Sequence, residues 1–386
     1  MTQITKYTKK DGSTAYKFQT YLGTDPATGK QKFTTRRGFA SLKDAKLAAS
    51  RLKLEVEETG FSNNEVQLFQ DVYELWLEQY RGTVKESTLQ KTMELFKNHI
   101  LPAFGTMKIE KITAAYCYKK VNEWVKYHSK YNVMKNYTSA VFKFAVRLDM
   151  MNTNPMDKIT MPRRLAEVGQ NDDLKYYNKE ELQQFFSCCK EDSAQSNNLL
   201  WITLFRLLAF SGMRKGEALA LTWTDLDFKS ETVSINKTLS RGLENRLIIQ
   251  TPKTASSKRT VVLDAITLSM LSTWRKRQAM DFLKLGYNTL NEEQLIFPNT
   301  KNELMIPTKP DQKLDRIIKK NGLARITVHG FRHTHCSLLF EAGASIKEVQ
   351  DRLGHADIQT TMNIYAHVTE KAKEKTAEKF AKYVNF

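Results

Sequence analysis

The chain has 386 residues, more than one hydrophobic core normally serves, so we expect two or three domains. Lysine and arginine number 60 against 42 aspartate and glutamate, and the net charge of +18 favours a polyanionic partner, most simply a nucleic acid. Four cysteines without framework spacing, no signal peptide and no apolar run of about 18 residues argue against a disulfide scaffold and a membrane protein. We therefore expect a cytoplasmic location.

Residues 1–60 begin with three short segments of alternating polarity, separated by turn signals. These segments are Ile4 to Thr8, Thr14 to Leu22 and Lys30 to Thr35. Ser41 is placed to cap a following helix, so the pattern predicts a small three-stranded sheet backed by one helix. Residues 1–54 hold twelve Lys and Arg against three Asp, so the sheet either reads DNA or presents only a solvated basic face.

Residues 65–160 change to a helical pattern that predicts a bundle of four amphipathic helices. The first carries an apolar stripe of Phe69, Val72, Tyr73, Trp76 and Tyr80. The last has an apolar face that runs from Val133 to Leu148. We predict that the aromatic stripe is core, and that basic side chains such as Lys85 are candidates for contact with DNA phosphates.

Residues 161–173 lack periodicity and are predicted to link the bundle to a third domain, residues 174–386. Asn178 and Glu181 form a capping box, and residues 199–210 are apolar enough for a buried helix. Three short segments rich in β-branched residues predict a small antiparallel sheet: Thr232 to Ile235, Leu247 to Gln250 and Thr260 to Leu263. The fold class expected for the whole chain is α+β and multidomain, with a mainly helical last domain.

The residues between the last two predicted strands, TPKTASSKR at 251–259, are predicted to form a hairpin tip rich in hydrogen-bond donors. The tip holds two lysines, Lys253 and Lys258. Lys258 and Arg259 suit a role limited to phosphate contact.

Residues 327–367 bring together the side chains that transfer of a phosphodiester to tyrosine requires. His329 and Arg332 form an H-x-x-R pair, His355 lies in an L-G-H turn, and Tyr365 follows ten residues later. Arginine suits the non-bridging oxygens of a phosphate, while a tyrosine nucleophile must lose its proton and the departing oxygen must gain one. The histidines are candidates for proton handling.

Helix signals place these groups in turns between helices. Ser345 and Glu348 form a capping box, and Gly354 stands where the same helix would end. Asp357 can cap a further helix that leads to Tyr365, with Ile364 facing the core. His355 is therefore expected in a tight turn.

These motifs resemble the tyrosine recombinase (phage integrase) family, and the segment FSGMRKGEALALTW at 210–223 resembles the first arginine box of that family. The resemblance implies a site-specific DNA recombinase that cleaves and rejoins DNA through a 3′-phosphotyrosine, and so integrates and excises a mobile element. Six positions match its catalytic set: Arg214, Lys253, His329, Arg332, His355 and Tyr365.

The resemblance also implies a role for each of these residues. Tyr365 is the nucleophile, and His329 assists proton transfer there. Arg214 and Arg332 hold the non-bridging oxygens, and His355 assists them. Lys253, which matches the hairpin lysine of the family better than Lys258 does, protonates the leaving 5′ oxygen. Glu217 follows Arg214 by three residues and is placed to hold its guanidinium.

The resemblance implies partners as well: double-stranded DNA at core and arm attachment sites, a homotetramer on that DNA, and possible help from an excisionase and a host DNA-bending protein. Residues 1–60 resemble the arm-site DNA-binding domain of many integrases, which favours a phage or conjugative element. No cofactor and no metal are expected, and the location would be cytoplasmic and nucleoid-associated.

Three other interpretations compete with this one. His329, His333, His335 and Cys336 could suggest a metal site, although no accompanying metal motif is present. A type IB topoisomerase-like enzyme would share the chemistry but would not need residues 1–60. A non-catalytic DNA-binding or regulatory protein would not require a tyrosine at this spacing.

Overall fold

A computed structural model describes residues 2–9, 12–24, 29–59, 67–161, 175–191, 198–252, 254–291, 293–362 and 364. The chain forms two compact units. The first comprises Met1–Leu77 and His99–Met161, and the second comprises Glu78–Asn98 and Pro162–Phe386. The predicted linker at 161–173 lies outside the described residues except for Met161. The three predicted domains, 1–60, 65–160 and 174–386, stay a prediction.

The first unit begins with an antiparallel sheet followed by a helix, as predicted. Its elements are β1 (Gln3–Thr8), β2 (Thr14–Thr24), β3 (Gln31–Phe39) and α1 (Leu42–Thr59). Ser41 caps α1, because its hydroxyl oxygen accepts a hydrogen bond from the Asp44 backbone N–H at 3.1 Å. Phe18, in the middle of β2, packs against Ala45 and Ala49 of α1, and this contact forms a small core.

The following helices are α2 (Phe69–Arg81), α3 (Glu86–Leu95), α4 (Leu101–Phe104), α5 (Ala114–Tyr127) and α6 (Tyr131–Arg147), with a π-helical turn, Phe96–Ile100, joining α3 to α4. Phe69, Phe104 and Phe142 pack together with ring centroids 5.3 to 6.2 Å apart. The prediction that the aromatic stripe is core is confirmed for its first four residues, which are buried, while Tyr80 is half-buried.

The buried face of α6 agrees only in part with the predicted one. Val141 is buried as predicted, but Val133 and Leu148 are 43% and 46% exposed, and Phe142 is buried although it was not on the predicted face. Apolar residues occur on two neighbouring faces of this helix, so its own periodicity did not decide between them. Packing against Phe69 and Phe104 selects the face that carries Phe142.

The second unit contains α3 and, among its described residues, seven further α-helices: α7 (Lys179–Glu191), α8 (Asn198–Ser211), α9 (Lys215–Ala218), α10 (Ala265–Lys284), α11 (Thr308–Asn321), α12 (Gly330–Glu341) and α13 (Ile346–Leu353). The predicted capping box of α7 is confirmed: Asn178 and Glu181 exchange two backbone-to-side-chain hydrogen bonds of 2.8 Å. The apolar helix α8 packs against α10 and α12 and is buried along most of its length.

Short strands form two small sheets rather than one: β4 (Leu226–Asp227), β5 (Thr232–Ile235), β6 (Thr238–Arg241), β7 (Leu247–Gln250) and β8 (Arg259–Val262). One sheet has the order β4-β5-β8, and the other pairs β6 with β7. The prediction of a hairpin tip at 251–259 was therefore wrong. This segment connects two sheets, and the true hairpin joins β7 to β6, a strand that the sequence analysis missed.

Aromatic packing fixes α12 within the second unit. Phe331 lies with its ring centroid 5.2 Å from that of Phe185 and 5.6 Å from that of Phe205. Thr334, on the same helix, accepts a hydrogen bond from the Tyr177 backbone N–H at 2.9 Å. Because His329 and Arg332 flank Phe331, this core also sets where those two side chains begin.

The lengths and compositions of the helices also show whether any of them could cross a membrane. Within the described ranges, no helix combines the length and the apolar composition that crossing a membrane requires.

Candidate active site

Arg214 lies in a sharp turn between α8 and α9. Gly212 opens the turn with a φ of +66°, and a β-carbon there would lie 2.5 Å from Leu353 Cδ2 and 2.7 Å from His335 Cδ2. Only glycine therefore suits both the backbone and the space. Arg214 stands at the start of α9 and donates two hydrogen bonds of 2.9 Å to Glu217, from its backbone N–H and from Nη1. The prediction that Glu217 holds this guanidinium is confirmed.

Glu217 also holds a second arginine. Arg259 Nη2 donates to Glu217 Oε2 at 3.0 Å, and the side chains are 6% and 3% exposed. Burial alone would raise the pKa of Glu217, but the charge and hydrogen bonds of Arg259, followed by those of Arg214, outweigh it and lower the pKa. Arg259 Nε donates to the Arg352 carbonyl at 2.9 Å, so the same carboxylate is linked to the end of α13.

Arg332 is held by backbone carbonyls. Its Nη1 donates to Gly212 O at 2.7 Å and its Nη2 to Leu353 O at 2.8 Å, so it joins the turn before Arg214 to the end of α13. The residue is 2% exposed. Burial, followed by the charges of Arg214 and Arg259, lowers the pKa of Arg332 to about 9, which leaves the guanidinium charged at pH 7.

His355 occupies the predicted turn after α13. Ser345 and Glu348 form the capping box of this helix, and Gly354 ends it with a φ of +67°. Nδ1 of His355 lies 2.8 Å from Thr361 Oγ1, and Gln350 Nε2 donates to the His355 carbonyl at 3.1 Å. Asp357 accepts from the Gln359 backbone N–H, as expected for the cap of the next helical turn.

Both site histidines are neutral at pH 7. Burial, together with the charges of His333 and Arg332, lowers the pKa of His329 to about 4. Burial, together with the charges of Arg332 and Arg214, lowers the pKa of His355 to about 3. The arginines outnumber the single carboxylate, Glu217, so the net positive charge disfavours a further positive charge on either ring.

Four of the six predicted residues therefore meet: Arg214, His329, Arg332 and His355. The charge of each arginine lowers the pKa of both histidines, so the four side chains lie close together although they come from three separate segments. Lys253 and Tyr365 lie outside the described residues, as does the tail after Tyr365. Ile364, directly before Tyr365, is 3% exposed and packs with Leu353, as predicted.

The alternative metal site is not formed by these side chains. His335 Nδ1 donates to Ala209 O at 2.9 Å, and its Nε2 accepts from Arg352 Nε at 2.9 Å, so both ring nitrogens are engaged. Burial and the charge of Arg352 lower the pKa of His335 to about 3. Within the part of the chain that the structure describes, no three His, Cys, Asp or Glu side chains converge as metal ligands would.

The sequence analysis missed the structural role of Arg259. We interpreted it as a loop residue suited to phosphate contact, but its side chain is buried on Glu217. Arg259 shares a face of β8 with the buried Val261, because residues two apart in a strand point to the same side, but the sequence does not show which face is buried. Arg352 was missed as well: its Nη2 donates to Phe210 O and Val262 O, both at 3.1 Å, and no sequence pattern indicated these contacts.

Comparison with known proteins identifies the chain. Residues 175–372, just over half of its length, match the phage integrase family. The chain belongs to this family. Residues 68–125 match the N-terminal SAM-like domain of phage integrases, and residues 3–56 match an arm DNA-binding domain.

Relatives of this integrase-family chain are similar over most of its length. The ICEBs1 integrase of Bacillus subtilis (strain 168) is 25% identical over 382 residues, which cover 96% of this chain and 98% of that protein. A tyrosine recombinase XerC-like protein of Caldanaerobacter subterraneus subsp. tengcongensis is 28% identical over 325 residues, which cover 80% of this chain and 81% of that protein. The chain is a tyrosine-type site-specific recombinase.

Solved structures with the same fold include two integrases. The Tn1549 transposon integrase in complex with transposon right end DNA has a TM-score of 0.65 at 22% identity, covering 82% of this chain and 100% of that one. A lambda integrase tetramer bound to a Holliday junction has a TM-score of 0.54 at 16% identity, covering 93% and 94%. The predicted α+β, multidomain fold class is confirmed.

The shared carboxylate generates the first prediction. Glu217→Gln keeps the shape but removes the charge, so Arg259 would be left buried without its counter-ion. Breaking a buried pair in this way should lower the free energy of unfolding by about 3–5 kcal/mol, measured by urea denaturation at pH 7. Glu303→Gln, at an exposed position, is the control and should change it by less than about 0.5 kcal/mol. Equal stability of the two variants would contradict the role given to Glu217.

The histidines generate a second prediction. Their pKa values in the folded chain, about 4 and about 3, lie below the ordinary 6.5, so the unfolded chain binds more protons in this range. Their contribution to stability is therefore complete above about pH 6.5 and is lost as the pH falls towards 4 and then 3. The urea midpoint should fall over this window, and His355→Gln should make the fall shallower. A His355 ring that titrates near 6.5 by NMR would refute this.

Proposed function

We propose that Arg214, Arg332, His329 and His355 bind the scissile phosphate of double-stranded DNA, which Tyr365 attacks. The observation that supports this best is the charge balance of the cluster. The charges of three arginines, Arg214, Arg259 and Arg332, lower the pKa of His355. Glu217, which pairs with Arg214 and Arg259, is the one carboxylate among them, which leaves a net charge of +2. A phosphoryl transition state gathers negative charge on its non-bridging oxygens and would be stabilised there.

The two catalytic arginines would have different tasks. The Arg214 side chain is 39% exposed and can reach a phosphate that arrives from solvent. Arg332 is buried and donates one hydrogen bond to Gly212 O and one to Leu353 O. Its remaining N–H groups therefore keep a fixed direction. Donors fixed in advance need no rearrangement during the reaction, which is where enzymes gain most of their electrostatic stabilisation.

The neutral histidines suit proton transfer. If Thr361 donates to Nδ1 of His355, the ring proton lies on Nε2 and can be donated to a non-bridging oxygen. His329, neutral at pH 7, can accept the proton that Tyr365 loses. A bound phosphate anion would raise the pKa of both rings, because it offsets the arginine charges.

In the proposed step the phenol oxygen of Tyr365 forms a bond to phosphorus, and the bond from phosphorus to the 5′ oxygen breaks. Lys253 gives its proton to that oxygen, which leaves a 3′-phosphotyrosine and a free 5′ hydroxyl. A 5′ hydroxyl of the partner strand then reverses the step. No nucleotide is needed, because the phosphotyrosine conserves the energy of the broken bond.

The third prediction tests this function. Incubated with nicked attachment-site DNA, the protein should form a covalent adduct that survives boiling in detergent. Tyr365→Phe should bind the same DNA with an affinity within about threefold, since it lacks only one hydroxyl, and should form no adduct. Adducts are counted by gel electrophoresis with labelled DNA.

A matched control is Tyr118→Phe, which removes a hydroxyl from an exposed tyrosine of the first unit and should leave the adduct yield unchanged. Equal adduct yields from Tyr365→Phe and the parent chain would show that another residue is the nucleophile.

We further propose that the protein works as a homotetramer on DNA, as the lambda integrase tetramer is bound to a Holliday junction. Two strand exchanges through a four-way junction use four active sites. An excisionase and a host DNA-bending protein would control direction, and the protein would act at the nucleoid. The similarity to the ICEBs1 integrase and to the integrase of Staphylococcus phage L54a supports integration and excision of a mobile element.

The division of labour follows the proposed domains: residues 1–60 bind arm sites, residues 65–160 bind the core site, and residues 174–386 carry the chemistry. A type IB topoisomerase-like enzyme or a non-catalytic DNA-binding protein is not favoured. The match of residues 3–56 to an arm DNA-binding domain argues against the first. The four clustered site residues argue against the second, because binding alone does not need them.

The open face of the β1-β2-β3 sheet is the proposed arm-site reader. Two rows of exposed side chains cross it, Gln3, Gln19 and Thr35 in one row and Thr5, Lys17 and Arg37 in the next. Strands can enter the major groove, where glutamine pairs with adenine and basic side chains meet guanine or phosphate. The other face packs on α1 and is not available.

The fourth prediction compares two exposed lysines of this domain. Lys17→Ala removes a charge from the open sheet face, whereas Lys46→Ala removes one from α1. Loss of one phosphate contact should reduce the salt slope of arm-site binding by about 0.9 for Lys17→Ala only, measured by fluorescence anisotropy at several salt concentrations. Cleavage of core-site substrates should be unaffected in both variants. Equal slopes for the two variants would refute the assignment of the sheet face.

A further inference from the structure

Two consecutive residues at the start of α3, within the second unit, contact the hairpin of β6 and β7. Glu86 Oε1 accepts from the Leu243 backbone N–H at 2.8 Å and from Nε and Nη2 of Arg246 at 3.0 and 2.9 Å. Ser87 Oγ donates to Gln250 Oε1 at 3.0 Å. These contacts reach both the turn of the hairpin and its last residue.

Lys85 extends these contacts beyond the hairpin. Its Nζ donates to Thr251 O at 2.7 Å and to Pro252 O at 3.0 Å, and it lies 3.3 Å from Thr251 Oγ1. Hydrogen bonds from an ammonium are stronger than those between neutral groups. One side chain thus restrains two successive peptide units, and the residue that follows them in the chain is Lys253.

The chain is also restrained after this position. Thr254 Oγ1 lies 2.8 Å from Ser257 Oγ, and the Ser257 backbone N–H donates to Thr254 O at 3.1 Å. Two residues further along the chain, the buried side chain of Arg259 forms an ion pair with Glu217. The described residues before and after position 253 are therefore each held by hydrogen bonds.

We propose that Lys85 is a positioning residue for proton donation by Lys253, and this rests on the proposed function of Lys253. The sequence analysis placed Lys85 among candidates for contact with DNA phosphates. In the structure its ammonium instead donates hydrogen bonds to the Thr251 and Pro252 carbonyls. A general acid must lie within hydrogen-bond reach of the atom that it protonates, so loss of this restraint slows protonation of the 5′ oxygen without removing the acid.

The test measures cleavage of two core-site suicide substrates, one with the normal phosphodiester and one with sulfur at the 5′ bridging position. Sulfur leaves without a proton, so only the oxygen substrate needs Lys253. Lys85→Met keeps the length of the stem but has no donor. It should cleave the oxygen substrate about 10- to 100-fold more slowly, since small misplacements of a catalytic group cost this much. On the sulfur substrate it should remain within about threefold of the parent chain.

Four further variants, one of them Lys253→Ala alone, sharpen the result. Lys85→Arg keeps the charge and the donors and should restore most of the rate on the oxygen substrate. Lys284→Ala removes an exposed lysine at the end of α10 and should behave as the parent chain on both substrates. If Lys85 acts through Lys253, the double variant Lys85→Met with Lys253→Ala should be no slower than Lys253→Ala alone.

The outcomes separate this inference from the proposed function. Failure of sulfur to rescue Lys253→Ala overturns the role of Lys253 and the inference with it. Rescue of Lys253→Ala but equal slowing of Lys85→Met on both substrates overturns the inference alone. A weaker DNA affinity with a shallower salt slope in Lys85→Met also overturns it, because Lys85 would then contact phosphate.

Discussion

The catalytic unit depends on one buried carboxylate. Glu217 receives hydrogen bonds from Arg214 and Arg259, and Arg259 continues the link to the Arg352 carbonyl. Three segments that are distant in sequence, the start of α9, the start of β8 and the end of α13, are therefore tied to one charge. A buried ion pair contributes to stability only when its remaining donors are satisfied, and here backbone carbonyls complete the set for Arg259.

The rest of the site concentrates positive charge that the fold must tolerate until a phosphate arrives. The lowered pKa values of Arg332, His329 and His355 all express this repulsion together with burial. The aromatic core around Phe331 holds α12 in place despite it. A phosphate would relieve the repulsion, so a cluster that costs stability in the free protein gains favourable interactions with DNA and with the transition state.

The helical and capping signals were reliable where a residue interacts with its own neighbours in sequence. Ser41, Asn178 and Ser345 all cap helices as expected, because an N-cap hydrogen bond spans only three residues. Strand pairing was less predictable. The β7 and β8 segments were recognised as strands, but pairing with β6 and β5 depends on contacts across the fold. The buried face of α6 likewise depended on Phe69 and Phe104, not on the helix itself.

The sequence by itself determined the family, several helix ends and the identity of the four site residues that the structure brings together. Motif spacing carries this information, because each motif is a local turn or helix end with its own chemistry. Only the tertiary structure decided that Arg259 is buried rather than free for DNA, that Arg352 bonds His335, and that Lys85 holds Thr251 and Pro252. An arginine or lysine carries the same charge and the same donors whether it contacts DNA or the protein itself. Which of the two it contacts depends on the carbonyl groups that the folded chain places within its reach.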